Sequence, residues 1–415
     1  MMRETLTIDH LGAQGDGVAH TAAGSVFVPF ALPGETVEAA VHKGRAQKMV
    51  LRTASPHRVD PACRHFGACG GCSVQHLDDA SYRDWKRDKV ARALAARGVE
   101  ADVAPLMACP EGARRRVTFT ARRLGPDILL GFNVPQSHHI VVVEECPVSA
   151  PAITEALGDL RRLATTVAAT PKAFHMAVTA TGAGLDIAVD GAGQLGAKQR
   201  RTAIDLTLSA GFARLTVNGE VVVEGRKPEV NFGGVAVAIP PAGFLQATMD
   251  AETAMAKLVR EHLDGARYCV DLFAGSGTFA LRLAQAGRVH AVEGDAAALA
   301  ALDQAARRTP SLKPVTVEKR DLFHRPMTAK ELNAFDALVF DPPRAGAELQ
   351  CCQIAKSTVR RVAAVSCNPG TLARDLAILV DGGYRIERVV PIDQFLWSPH
   401  VEAVALLRKP APGRN

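Results

Sequence analysis

The chain has 415 residues, 47% hydrophobic and 22% charged, which is ordinary globular usage and excludes a disordered or collagen-like protein. Lys and Arg outnumber Asp and Glu by 49 to 43, a net charge of +6 that leans mildly toward a polyanionic partner. No apolar run approaches the roughly 18 residues of a membrane span, and "MMRETLTIDH" lacks the apolar core of a signal peptide, so a cytoplasmic protein with no membrane partner is expected.

Residues 1–56 read as short strands, "ETLTIDHL", "GDGVAH", "GSVFVPF" and "ETVEAAVHKGRAQKMVLRTAS", separated by Gly and Pro signals and lacking a helical apolar period. That pattern predicts a small closed or nearly closed β-barrel. Residues 57–234 open with "CRHFGACGGC", which places five and then two residues between Cys63, Cys69 and Cys72; "EECPV" adds Cys146. Nine cysteines without a secretion signal suggest metal or catalysis before disulfides. Four thiolates can hold tetrahedral zinc or a four-iron cluster, and zinc sites usually pair two C-x-x-C knuckles where this chain has one.

A helix is expected at "DDASYRDWKRDKVARALAARG", followed by strands at "RRRVTFTARR", "DILLGFNV", "HHIVVVEEC", "AFHMAVTAT" and "GLDIAVDG". Arg114, Arg115, Arg116, Arg122 and Arg123 interleave with Phe119, which on a strand face would suit phosphate contact and base stacking. Residues 235–410 then alternate strand and helix patterns from Tyr268 onward, which implies a parallel sheet covered on both faces, with ligands bound beyond the carboxyl ends of its strands. The tail "PAPGRN" is expected to be disordered.

The strand ends carry the chemistry. "VDLFAGSGTFA" sets Phe273, Gly275 and Gly277 directly after a strand, where glycine lets backbone approach a ligand. Glu293 ends the next strand, suited to a ribose diol; Asp321 follows the third, suited to an adenine amino group; Asp341, in "FDPPR", ends the fourth. This succession fits an S-adenosylmethionine site, and "GSGTFA" lacks the third glycine of a dehydrogenase fingerprint. Cys367, in "SCNP", ends the fifth strand and should share a pocket with Asp341. A thiolate there can add to C6 of uracil and make C5 nucleophilic, after which a base must remove the C5 proton. Glu402, in "SPHVEAVALLRK", is the candidate base, with His400 a rival.

The set "FLQAT", "DLFAGSGTF", "DPPRAG", "SCNP" and "HVEAVALL", with the barrel and the cysteines, resembles the RNA uracil-5-methyltransferases, especially the bacterial iron-sulfur members that modify 23S rRNA. The resemblance implies an α/β protein in three parts: an OB-like TRAM barrel (1–56), a central α+β iron-sulfur domain (57–234) and a Rossmann-like class I methyltransferase domain (235–410). It implies Cys367 as nucleophile and Glu402 as base, with Gln246, Phe273, Gly275, Gly277, Glu293, Asp321 and Asp341 about the cofactor. It further implies a [4Fe-4S] cluster on Cys63, Cys69, Cys72 and Cys146, an RNA substrate, 23S rRNA by the barrel and cluster, and a monomer. Thr248 and Thr278 stand where the family commonly has Asn. The rival readings are an amino-group methyltransferase, which would need no thiol and usually follows the prolines with an aromatic where Arg344 stands, and a noncatalytic RNA-binding or assembly protein.

Overall fold

A computed structural model of the chain describes residues 3–410, so the tail from 411 on lies outside the described residues. Strands Arg3–Thr7, His10–Leu11, Gly17–Thr21, Gly24–Val28, Thr36–His42 and Arg45–Thr53 form one sheet. Its two edges are Arg3–Thr7 and His10–Leu11, the two halves of one bent segment, so chain continuity closes the sheet on itself. Alternate residues such as Leu6, Val26, Val28, Val37 and Ala39 point into the barrel core. Gly17 is required there, because a Cβ would meet the Ala31 carbonyl oxygen at 2.7 Å. Buried Glu35 accepts from Leu32 N–H at 2.8 Å and from Arg58 Nε at 2.6 Å, fastening the barrel to the segment that follows.

The central sheet has the spatial order Glu220–Glu224, Arg214–Val217, Gly184–Asp190, Phe174–Thr181, Arg116–Leu124, Asp127–Asn133, Ile140–Val142 and is antiparallel except between Gly184–Asp190 and Arg214–Val217. Helices Leu157–Val167 and Ala197–Ser209 complete its core; Leu160, Leu163 and Val167 pack with Phe119, Phe174 and Met176.

The third sheet is built from β1 (Tyr268–Leu272), β2 (Arg288–Glu293), β3 (Val315–Lys319), β4 (Ala337–Phe340), β5 (Arg361–Ser366), β6 (Arg385–Ile392) and β7 (Glu402–Arg408). The order is β3-β2-β1-β4-β5-β7-β6; β1 to β5 pair in parallel, and β7 runs antiparallel to β5 and β6. Residues such as Val270, Val339, Ala363 and Ala405 are fully buried, as expected of strands covered on both faces.

Helix Asp79–Ala95 lies in the segment that the sequence pattern groups with the cysteines, yet its Val90 and Leu94 pack with Leu372, Leu376 and Val389 in the core of the third sheet. Tyr82, Lys86, Val90 and Leu94, four residues apart, form its buried stripe. Among the described residues, no helix is long and apolar enough to cross a membrane.

Candidate active site

Strand direction gathers the site. Parallel strands bring their last residues to one edge, so β2 ends on Glu293, Asp341 follows β4, and Cys367 follows β5. Because β7 runs the other way, its first residue arrives at that same edge; Glu402 is held there by the pairing of Ser366 with Ala403 and of Ile392 with Glu402.

Two amides bridge the two acids. Gln246 Nε2 donates to Asp341 Oδ2 at 2.8 Å, and Gln394 Nε2 donates both to Gln246 Oε1 at 2.8 Å and to Glu402 Oε2 at 2.5 Å. The backbone N–H of Ala247 donates to Gln394 Oε1 at 2.8 Å, which orients that amide. Burial pushes Glu402 far above the ordinary carboxylate range, the neighbouring Asp341 charge adds to this, and the Gln394 hydrogen bond opposes it. Burial likewise raises Asp341, against the Gln246 hydrogen bond. The Cys367 thiol is pushed up to about 11, by burial first, then by Glu402 and Asp341, with Arg344 acting the other way. Arg344 Nη2 donates to His400 Nδ1 at 2.9 Å; burial first, then Arg344 and nearby cations, pushes His400 down to about 4.

Cys367 opens onto a cavity of about 610 Å³ walled by the barrel turn Gly12–Gln14, by Trp85 and Lys89 of helix Asp79–Ala95, and by Arg344 and His400. That helix also braces the loop ahead of Glu402. Fully buried Lys86 donates from Nζ to Asp393 Oδ1 at 2.7 Å and to the carbonyls of Phe395 at 2.9 Å and His400 at 2.5 Å. Tyr82 OH donates to Asp393 Oδ2 at 2.5 Å.

The glycine turn after β1 holds Phe273 at φ 61 and Gly275 at φ 53. A Cβ on Gly275 would meet nothing within 4 Å, so the backbone faces open space there. Gly277 is different: its Cβ would strike Leu281 and Leu302 at 2.9 and 3.0 Å, so this glycine serves helix packing where the sequence suggested close approach to a ligand. Glu293 accepts from Gly275 N–H at 2.9 Å and from Asp295 N–H at 2.7 Å, which ties its carboxylate to the turn. Exposed Asp321 accepts from Phe323 N–H at 3.0 Å and pairs with His324 Nδ1 at 2.8 Å. The Phe273 and Phe323 rings lie 5.4 Å apart beside it. Thr248 caps helix Met249–His262 by accepting from Ala251 N–H at 3.2 Å.

Cys63, Cys69, Cys72 and Cys146 line a second cavity, about 460 Å³, together with Gln246, Gln394 and Phe395. Burial pushes the Cys72 thiol up to about 12, with the other three cysteines adding to it. Among the described residues no group of three or more His, Cys, Asp or Glu side chains is arranged to hold a metal ion.

The expected stacking face in the central sheet is corrected. Phe119 is 1% exposed and packs 5.0 Å from Phe132, because the strand's alternation turns it inward. Arg115 is committed to the Gln246 carbonyl at 3.0 Å and to buried Glu252, and Arg114 lies 5.7 Å from the Phe395 ring.

Sequence reasoning missed four residues. Gln394 stands in "PIDQFLWSPH", where an acid–amide pair directly ahead of Glu402 was the available signal. Tyr82 and Lys86 were detectable as polar members of an apolar helical stripe. Asp271 was the acid inside the apolar strand "YCVDLF"; it is fully buried, and burial raises its carboxyl well above the ordinary carboxylate range.

A family model described as tRNA (Uracil-5-)-methyltransferase matches residues 238–410, and a TRAM domain model matches residues 3–48. An uncharacterized RNA methyltransferase of Mesorhizobium japonicum is 58% identical over 414 residues, covering 100% of both chains. The 23S rRNA (uracil(1939)-C(5))-methyltransferase RlmD of Halomonas elongata is 35% identical, covering 100% of this chain and 91% of that one. The solved structure of Pyrococcus abyssi tRNA (uracil-54, C5)-methyltransferase in complex with S-adenosyl-L-homocysteine matches with a TM-score of 0.77 at 25% identity, covering 97% of this chain and 99% of that one.

Proposed function

The chain belongs to the tRNA (uracil-5-)-methyltransferase family, transferring methyl groups from S-adenosylmethionine to C5 of uracil in RNA, and on that premise we propose how its residues divide the work. Cys367 is the nucleophile and Glu402 the general base; the observation that carries this is their delivery to one buried edge from strands of opposite direction. S-adenosylmethionine supplies an electrophilic methyl group on a sulfonium sulfur. The Cys367 thiolate adds to C6 of uracil, and the ring electrons move toward O4 and make C5 the nucleophile that takes the methyl group. Glu402 then accepts the C5 proton, C5=C6 re-forms, and the C6–S bond breaks with its electron pair returning to Cys367. Gln246, Phe273, Gly275, Glu293, Asp321 and Asp341 form the cofactor site, with Gly277 supporting the turn from behind.

The substrate is 23S rRNA, by likeness to the Halomonas relative over the whole chain. That substrate puts the work in the cytoplasm, where a monomer suffices because the nucleophile, the base and the cofactor turn all come from one chain. The target uridine must leave its stack to present C6 to a thiolate.

Cys63, Cys69, Cys72 and Cys146 are the residues that would hold a [4Fe-4S] cluster. The chemistry of the donors supports the reading, although the four side chains are not drawn together into a metal-binding group: all four cysteines line one cavity, Gly71 N–H points to Cys69 Sγ at 3.4 Å, and Ser149 Oγ–H points to Cys146 Sγ at 3.2 Å. Such a cluster would tie together the loop and strand ends that enclose it. Ser73 N–H reaches the Trp397 carbonyl at 2.8 Å, so this segment borders the loop that carries Gln394.

The test uses 23S rRNA and tRNA transcripts tritiated at uridine C5, with wild type and Cys367→Ala. Cofactor-dependent tritium release from 23S rRNA that vanishes in the variant is expected. Methyl incorporation without tritium release would replace this reading with amino-group methylation, and release from tRNA alone would overturn the ribosomal assignment.

A further inference from the structure

Gln394 is 3% exposed and makes three hydrogen bonds at the heart of the site. Its Oε1 is occupied by Ala247 N–H, so its Nε2 must present both N–H bonds, one to Gln246 Oε1 and one to Glu402 Oε2. Gln246 passes the same polarity on, donating to Asp341 Oδ2. Each acid therefore receives an amide N–H. Nothing in the methyl-transfer chemistry requires an amide at position 394, and its side chain contributes no nucleophile or base.

We propose that Gln394 is a positioning residue for proton removal: its N–H fixes Glu402 through Oε2 and favours the carboxylate form, leaving Oε1 to receive the C5 proton. The inference rests on Glu402 being the base. The titratable groups facing Glu402 are Asp341 beyond β4 and Cys367 beyond β5, with Arg344 beside the cysteine. Burial and the Asp341 charge both favour protonated Glu402, and the Gln394 N–H is the group that opposes them. A hydrogen bond made to the charged form favours that form. Without it Glu402 carries its proton to higher pH and cannot accept another. The step it serves breaks the C5–H bond, whose electrons become the C5=C6 bond as the C6–S pair returns to Cys367. When that step slows, the methylated RNA stays attached to Cys367.

The experiment compares wild type, Gln394→Met and Glu402→Gln on 23S rRNA transcript tritiated at uridine C5, across pH 6 to 10. Two quantities are read: tritium release, and the detergent-stable covalent adduct between protein and methylated RNA. Gln394→Met keeps the side-chain volume and removes the donor, so its tritium release at pH 7 should fall about tenfold for a shift of about one pKa unit. The deficit should close as pH rises, and adduct should accumulate at pH 7 as it does in Glu402→Gln. A second variant, Gln394→Glu, sets another carboxylate against Glu402 and should move the acid limb further in the same direction. A purely structural role would instead lower activity by one factor at all pH values without adduct, and that result in Gln394→Met overturns the proposal. If Glu402→Gln itself releases tritium at the wild-type rate, it is the assignment of the base that falls.

Discussion

The described residues form two seven-stranded sheets, and only one of them concentrates chemistry. In the third sheet, β1 to β5 run the same way and β7 is reversed, so the ends of β2, β4 and β5 and the start of β7 meet at one edge. Single polar residues placed at those positions converge without any further device: Glu293, Asp341, Cys367 and Glu402 are the result. The central sheet is mostly antiparallel, and its strands end at both edges alternately. Its notable residues scatter accordingly, with Phe119 in the core, Arg115 paired to Glu252 and Arg122 exposed. Chemistry gathers where strand direction gathers strand ends.

The comparison breaks if substitutions in the two sheets have the same kind of consequence. The largest expected effect is in the third sheet. Glu402→Gln should lower turnover by about 10² to 10⁴, the range for loss of a general base, without lowering the melting temperature. The sign follows from linkage: burial and Asp341 raise Glu402 in the folded protein, so between the ordinary carboxylate range and its raised value the folded state binds more protons than the unfolded. Stability contributed through this group therefore falls as pH rises through that window, and Glu402→Gln should remove the fall, which thermal melts at pH 5 and pH 8 would detect. Equal losses of stability in variant and wild type on going from pH 5 to pH 8 would refute the account.

Phe119→Ala should do the reverse. Truncating a fully buried phenylalanine costs about 3–5 kcal/mol of stability, while turnover per folded molecule at a permissive temperature should remain at the wild-type value. Denaturant unfolding measures the first and tritium release the second. A large activity loss in folded Phe119→Ala would restore the stacking role that its burial denies.

These outcomes bear on what the sequence made legible. Alternating strand and helix patterns with polar strand ends determine both the third sheet and most of its site, because position in the sheet follows from strand direction alone. The barrel was equally readable from Leu6, Val26, Val28 and Val37 at alternate positions. Two things were hidden. The facing of Phe119 depends on which side of an antiparallel sheet the helices cover, and "RRRVTFTARR" does not state that. Gln394 and Lys86 acquire meaning only from partners that lie 148 and 307 positions away, Gln246 and Asp393. Gly277 illustrates a milder limit: the motif calls for glycine, but Leu281 and Leu302 supply the reason.

The two glycines of that turn sharpen the comparison within the third sheet itself. Gly277→Ala meets two leucine side chains at a φ of 102 that L residues rarely adopt, and should cost about 1–3 kcal/mol of stability. Gly275→Ala meets open space at a φ of 53, so it should cost less stability than Gly277→Ala and show itself chiefly as weaker S-adenosylmethionine binding by calorimetry. Weaker binding in Gly277→Ala with no loss of stability would exchange the roles assigned to them.

The smallest effect concerns Thr248, where the resemblance leads one to expect Asn. Its hydroxyl accepts from Ala251 N–H at the start of helix Met249–His262, and Asn caps a helix in the same way. Thr248→Asn should therefore shift stability by only a few tenths of a kcal/mol, whereas Thr248→Ala should cost about 1 kcal/mol. Neither should alter the pH dependence of tritium release, because Thr248 hydrogen-bonds the helix and Cys109 and not the acids of the site. A changed pH profile in Thr248→Asn would mean that the cap transmits to Gln246, two residues before it, and that this departure from the family pattern matters to the chemistry after all.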